Sequence, residues 1–114
     1  MDRGARPAAG EISPVLMAQF DVYRVESGAL VVDCQTDSLS HFTTRVVVPL
    51  VRSADAPSPT TQLHPVLEFE GKAYVLATHL LTAVPVSDLQ GRAGSLAQEE
   101  YRIRNALDML LTGV

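Results

Sequence analysis

Three histidines, one cysteine and two aspartates set four residues apart are the groups in this chain whose chemistry is worth testing against their spacing. His41, His64 and His79 share none of the short spacings that mark a metal or acid–base motif. A Ser-His-Asp relay can be drawn on many chains with this much Ser and Asp, but the Gly-x-Ser-x-Gly turn that exposes a nucleophile is missing. Cys34 lies inside Leu30-Val31-Val32-Asp33-Cys34-Gln35, where it reads as a small buried side chain and not as a reactive thiolate. As the sole cysteine it can form neither an internal disulfide nor a thiolate zinc site. Asp33 and Asp37 flank Gln35 in a superficial cation-loop pattern, yet the glycine and closing glutamate of such a loop are absent, so a strand end entering a turn fits better. Gly91-Arg92-Ala93-Gly94 lacks the Lys-Ser/Thr that completes a phosphate cradle and is expected to be a loop. The expectation is therefore no catalytic residue, no metal site and no cofactor: a protein that acts by stoichiometric binding.

Charge and composition narrow the partner. A net charge of −4, with Lys72 the only lysine and the arginines scattered, is the wrong electrostatics for a nucleic-acid phosphate backbone. No apolar stretch reaches membrane-spanning length and no secretory signal core is visible, so the expected location is the cytoplasm. The 114 residues suit one domain. Its core must come from Val, Leu and Ala, because aromatics make up only 5% of the chain, and the abundance of valine favours strands.

These groups must be held by short elements. Residues 1–16, rich in Gly, Pro, Ala and charge, are expected to be a disordered extension, with the folded unit spanning 17–114. From Gln19 the alternation is strand-like, Phe20, Val22 and Arg24 on one face and Asp21, Tyr23 and Val25 on the other. Glu26-Ser27-Gly28 reads as a turn into a second strand over Ala29–Cys34. Arg45–Val51 reads as a third strand, which Pro49 should confine to a sheet edge or bend with a bulge. Val66–Phe69 and Ala73–Ala77 flank a Glu70-Gly71-Lys72 turn, and Val84-Pro85-Val86 is a further extended piece. At the end, Ser95 and Gln98 have the spacing of a capping box, and Ile103, Leu107, Leu110 and Val114 fall on one helical face. The apolar terminus, Met109 to Val114, either docks on the sheet or forms an exposed recognition tip. Five or six strands followed by one helix make an α+β fold, mostly β.

Taken in order, these segments resemble the CcdB family of toxins from toxin–antitoxin modules. Met17-Ala18-Gln19-Phe20-Asp21-Val22-Tyr23 is similar to its opening strand. Val32-Asp33-Cys34-Gln35-Thr36-Asp37 matches a Val-Asp-x-Gln-Ser/Thr-Asp signature, and Arg45-Val46-Val47-Val48-Pro49-Leu50 an Arg-x-Val-Ile/Val-Pro-Leu strand. Leu63-His64-Pro65-Val66, Val84-Pro85-Val86-Ser87 and Ile103-Arg104-Asn105-Ala106-Leu107 match later elements, and Gly113-Val114 a Gly-Ile end. The resemblance implies an SH3-like barrel of short antiparallel strands with a C-terminal helix. It also implies a homodimer, a cognate antitoxin, and binding to the A subunit of DNA gyrase in a way that traps the gyrase–DNA complex. Target contact in the family uses a terminal Trp-Gly-Ile, the end of the helix and an apolar loop after the second strand. Carried onto this chain, those positions are Thr112, Gly113 and Val114, with Asp108 on the helix and Leu39 in the loop. Thr112 stands where the family has Trp, and a threonine supplies neither the buried area nor the stacking plane of an indole. An alternative is therefore a divergent relative that keeps the dimer and the antitoxin but has lost or changed its target.

Overall fold

The computed structural model describes residues 18–56 and 62–113; the expected extension over residues 1–16 lies outside them, as does Val114. Strands β1 (Asp21–Arg24) and β2 (Leu30–Asp33) form the first hairpin, with Val22 opposite Val32 and Tyr23 opposite Val31. Val25 and Ala29 close it, and Gly28, at φ 93°, turns the chain through the left-handed region that L side chains avoid. β3 (Thr44–Arg52) is the spine of the sheet. One of its edges pairs with β2. The other is divided between β6 (Thr82–Pro85), which covers Thr44–Val47, and β5 (Lys72–Leu76), which covers Leu50–Arg52.

That division corrects the expectation for Pro49, which sits in an interior strand and not at an edge. The Pro49 carbonyl accepts from Ala77 N at 2.9 Å, on the side facing β5. N and O of one strand residue point the same way, so the missing N–H faces Ala77, just past the end of β5 and before β6 begins, where the proline forgoes only the return bond of that one pair.

β4 (Val66–Phe69) and β5 are joined by a two-residue turn in which Glu70 and Gly71 both have positive φ, 53° and 79°. This is the backbone of a type I′ hairpin, whose twist matches that of the strands it joins. β7 (Gly91–Ser95) pairs antiparallel with β1, so the segment expected to be a loop is a strand. Its glycines hid it, since they carry no side chain to show an alternation. Close packing explains them: a Cβ on Gly94 would stand 2.9 Å from two ring carbons of Phe69, and one on Gly91 3.1 Å from the Arg24 carbonyl. The described residues therefore form seven strands in the order β4-β5-β3-β2-β1-β7, with β6 beside β3. Phe69 of β4 against Gly94 of β7 brings the two ends of that path together, curling the sheet into a half-barrel.

Both faces of the central strands are buried, which is why β3 reads as an unbroken apolar run. Val22, Val32 and Val48 point into the main core with Phe20, Leu67, Phe69, Leu76, Leu96 and Ile103. Tyr23, Val31 and Val47 point the other way and pack with Leu89. Helix α1 (Glu100–Thr112) closes the main core with Ile103 and Ala106. It begins later than the capping-box spacing predicts. Ser95 is held in β7 opposite Asp21, and Leu96 N donates to the Phe20 carbonyl at 2.7 Å. Ser95 Oγ accepts from Ala97 N at 3.1 Å, and Leu96, not Ser95, stands at the N-cap of a single 3₁₀ turn (Ala97–Glu99) ahead of the helix. One turn apart on its exposed face, Glu100 and Arg104 pair at 2.8 Å.

Candidate interaction surface

Below the surface loop that follows β2 lies a polar brace. Asp33 and Arg45 are both without solvent exposure and meet at 2.6 Å, with Arg45 Nε also donating to Asp33 Oδ2 at 2.9 Å. Two unlike charges removed from water need this contact, because either one alone would be strongly destabilising. Gln35 links the brace to the surface: its amide nitrogen donates to the Leu39 carbonyl at 3.0 Å, and its side-chain oxygen accepts from Val46 N at 3.2 Å. Asp37 accepts from Gln19 N at 2.8 Å, and Thr36 Oγ1 caps the 3₁₀ turn Asp37–Leu39 through Ser38 N. Asp33, which accepts from Gln35 N at 3.1 Å, Gln35 and Thr36 thus fix the backbone that follows β2, while Asp37 ties it to Gln19 just ahead of β1. That segment presents Leu39 and Phe42 to solvent, 37% and 48% exposed.

Burial sets the titration of the groups around the brace. It pushes the Asp33 carboxyl above its ordinary value despite the opposing contact with Arg45. Burial, then the negative charges of Asp21 and Asp33, push the Tyr23 phenol up to about 12. Burial, then Asp33, do the same to the Cys34 thiol, also to about 12. Cys34 is the buried side chain that its sequence context implies. Asp21 in turn holds Arg92 of β7 through two bonds, 3.1 and 3.2 Å.

The helix end is the second exposed element. Gly113, at φ 80°, terminates α1 by donating to the Asp108 and Met109 carbonyls, a left-handed cap that suits glycine. Thr112 is exposed, and its hydroxyl turns back to the Asp108 carbonyl at 2.7 Å. Leu111 is 71% exposed while Leu110 is half-buried, so at the terminus one apolar residue docks and the next does not. Asp108 lines a shallow depression of about 510 Å³ beside Tyr101 and Arg104. Four of the five residues assigned to target contact thus fall on two elements. Asp108, Thr112 and Gly113 share the helix end, Leu39 stands on the braced loop, and Val114 lies outside the described residues. Among the described residues no hydrogen bond or ion pair joins the two elements.

Two further features are not visible in residue spacing alone. A groove of about 1000 Å³ runs along the second face, floored by Val31, Val47, Pro49 and Val84 and rimmed by Arg24 and Asp88. His64 and His79 meet, Nε2 to Nδ1, at 2.9 Å. The signal for that pairing was the hairpin register: with Val66 opposite Val75, position 64 stands opposite 77 and diagonal to 79.

A half-barrel of seven short strands closed by one terminal helix, with a braced apolar loop, places the chain among the small β-rich domains that end in a helix. A family model described as CcdB protein matches residues 19–113, and the chain belongs to the CcdB family. That family consists of toxins from toxin–antitoxin systems. Among the described residues, no helix is long and apolar enough to cross a membrane.

Proposed function

We propose that this protein is the toxin of a type II toxin–antitoxin module, acting as a homodimer that binds the A subunit of DNA gyrase and traps the gyrase–DNA complex. The reading rests on the family match, which runs from the first strand through the helix to Gly113. The exposed helix end and the braced loop carrying Leu39 supply the contact surface. Thr112, Gly113, Val114, Asp108 and Leu39 make that contact, and a cognate antitoxin neutralises it. The groove floored by Val31 and Val47 is wide enough for a peptide segment of such a partner.

One observation favours a second reading, a changed target. Thr112 offers a hydroxyl already bonded to its own helix, where an anchoring indole would project outward. Inhibition of supercoiling by purified gyrase, with accumulation of cleaved complex, separates the two. If gyrase is the target, the wild type inhibits and Thr112→Trp inhibits about tenfold more strongly, the equivalent of about 1.4 kcal/mol of binding. If the wild type arrests growth while neither form affects gyrase, the target has changed.

A further inference from the structure

We propose that His64 and His79 form a two-imidazole site for a divalent transition-metal ion of the copper(II) or nickel(II) kind. His64 lies just before β4 and His79 in the 3₁₀ turn Thr78–Leu80 just after β5, so the pair spans the base of one hairpin. Both ends are fixed by backbone. Leu76 N donates to the Pro65 carbonyl at 3.0 Å, and the fully buried Thr78 bonds the Leu76 carbonyl at 3.3 Å. The imidazoles lie at the surface, half-buried for His64 and exposed for His79, where an ion can reach them.

The hydrogen bond of 2.9 Å from His64 Nε2 to His79 Nδ1 places two imidazole nitrogens side by side. Imidazole nitrogen suits nickel(II) and copper(II), for which the affinity of such ligands is highest in the first-row series. In the hydrogen bond one of these nitrogens carries the proton. Moving it to the other nitrogen of the same ring, with rotation of the two rings, turns both lone pairs onto one ion. Among the described residues no group of three or more His, Cys, Asp or Glu is placed to hold a metal, so this is a two-ligand chelate of moderate affinity. Its effect is to pin the two ends of the β4–β5 hairpin together, which stabilises the fold by ligand linkage.

Calorimetric titration of the full chain with nickel(II) tests the site. One ion per chain should bind, with a rise in melting temperature. His64→Gln and His79→Gln should each weaken binding by about tenfold or more and abolish the thermal shift. His41→Gln, whose ring packs on Phe42 instead, should change neither. Absence of binding overturns the proposal, as does binding undiminished in the first two variants or lost equally in the third. Paramagnetic resonance of the copper(II)-loaded wild type gives a reading that no misfolded variant can confuse. Coupling to two imidazole nitrogens supports the site, and coupling to one or none overturns it.

Discussion

Arg45 shows what a single buried side chain does for a surface loop. Its guanidinium binds Asp33 and reaches the Gln35 carbonyl at 3.4 Å, yet Nη1 finds no hydrogen-bond partner among the described residues. The pair therefore fixes geometry at a net electrostatic cost, and its value lies in holding the chain from β2 into the Leu39 turn. Arg45→Met should destabilise the protein by about 3–5 kcal/mol, because Asp33 is left buried and charged. Adding Asp33→Asn removes that charge and should recover most of the loss; urea unfolding of the two variants measures both. In Arg45→Met alone the folded state holds the Asp33 proton more tightly than the unfolded chain does. Its stability should therefore fall as pH rises from mildly acidic to neutral. Alkaline behaviour follows from the same burial. Cys34 moves from an ordinary 9.0 to about 12, and Tyr23 from 10.0 to about 12. Between these values the unfolded chain has lost protons that the folded one retains, so stability should drop steadily from about pH 9 toward 12. Cys34→Ala should make that decline shallower, as read from denaturation midpoints across the range. The burial of Cys34 was legible in its apolar run. The ion pair was not, because nothing in sequence places Asp33 diagonal to an arginine twelve residues away until the β2–β3 register, with Asp33 opposite Val47, is known.

Elements were legible where alternation or turn chemistry announced them and illegible where glycine removed the signal. The first two hairpins stand where Gly28 and Gly71 place them. β7 escaped because Gly91 and Gly94 are there to let other residues come close, and an absent side chain leaves no period to read. The late start of α1 has a similar origin: the Ser95–Gln98 spacing is that of a cap, but pairing with β1 claims Ser95 first. The role of β7 in closing the half-barrel can be tested directly. Gly94→Ala puts a methyl 2.9 Å from a Phe69 ring that is itself buried in the core. Either the ring or the strand must move, at a cost of about 1–3 kcal/mol. Phe69→Leu alone should also destabilise, by leaving a void. The two together should cost less than the sum of the separate losses, since the smaller side chain makes room for the methyl. Strict additivity in chemical denaturation would show that β4 and β7 do not meet as described.

At the scale of the whole molecule, the core accounts for one face of α1 and leaves the other open. Ile103 and Ala106 are fully buried, whereas Tyr101 is 78% and Leu111 71% exposed. Leu111 adjoins Thr112 and Gly113, the tip we assign to target contact. A chain of this kind gains by covering such residues with a second copy of itself, and a two-fold axis near the tip would bring the two tips into one composite surface. The expected particle is then twice the 12.3 kDa chain mass in sedimentation at micromolar concentration, with a melting temperature that rises with protein concentration. Leu111→Glu separates this arrangement from a monomer. In an isolated chain the residue is already mostly in water, so the change should alter stability by no more than about 0.5 kcal/mol. At a dimer interface the new carboxylate would be desolvated against its own symmetry mate, and association should fail while circular dichroism stays unchanged. A wild type that sediments as a single chain at every concentration refutes the dimer. A Leu111→Glu variant that still sediments at twice the chain mass moves the interface away from the helix tip, and the two tips would then meet the proposed target separately.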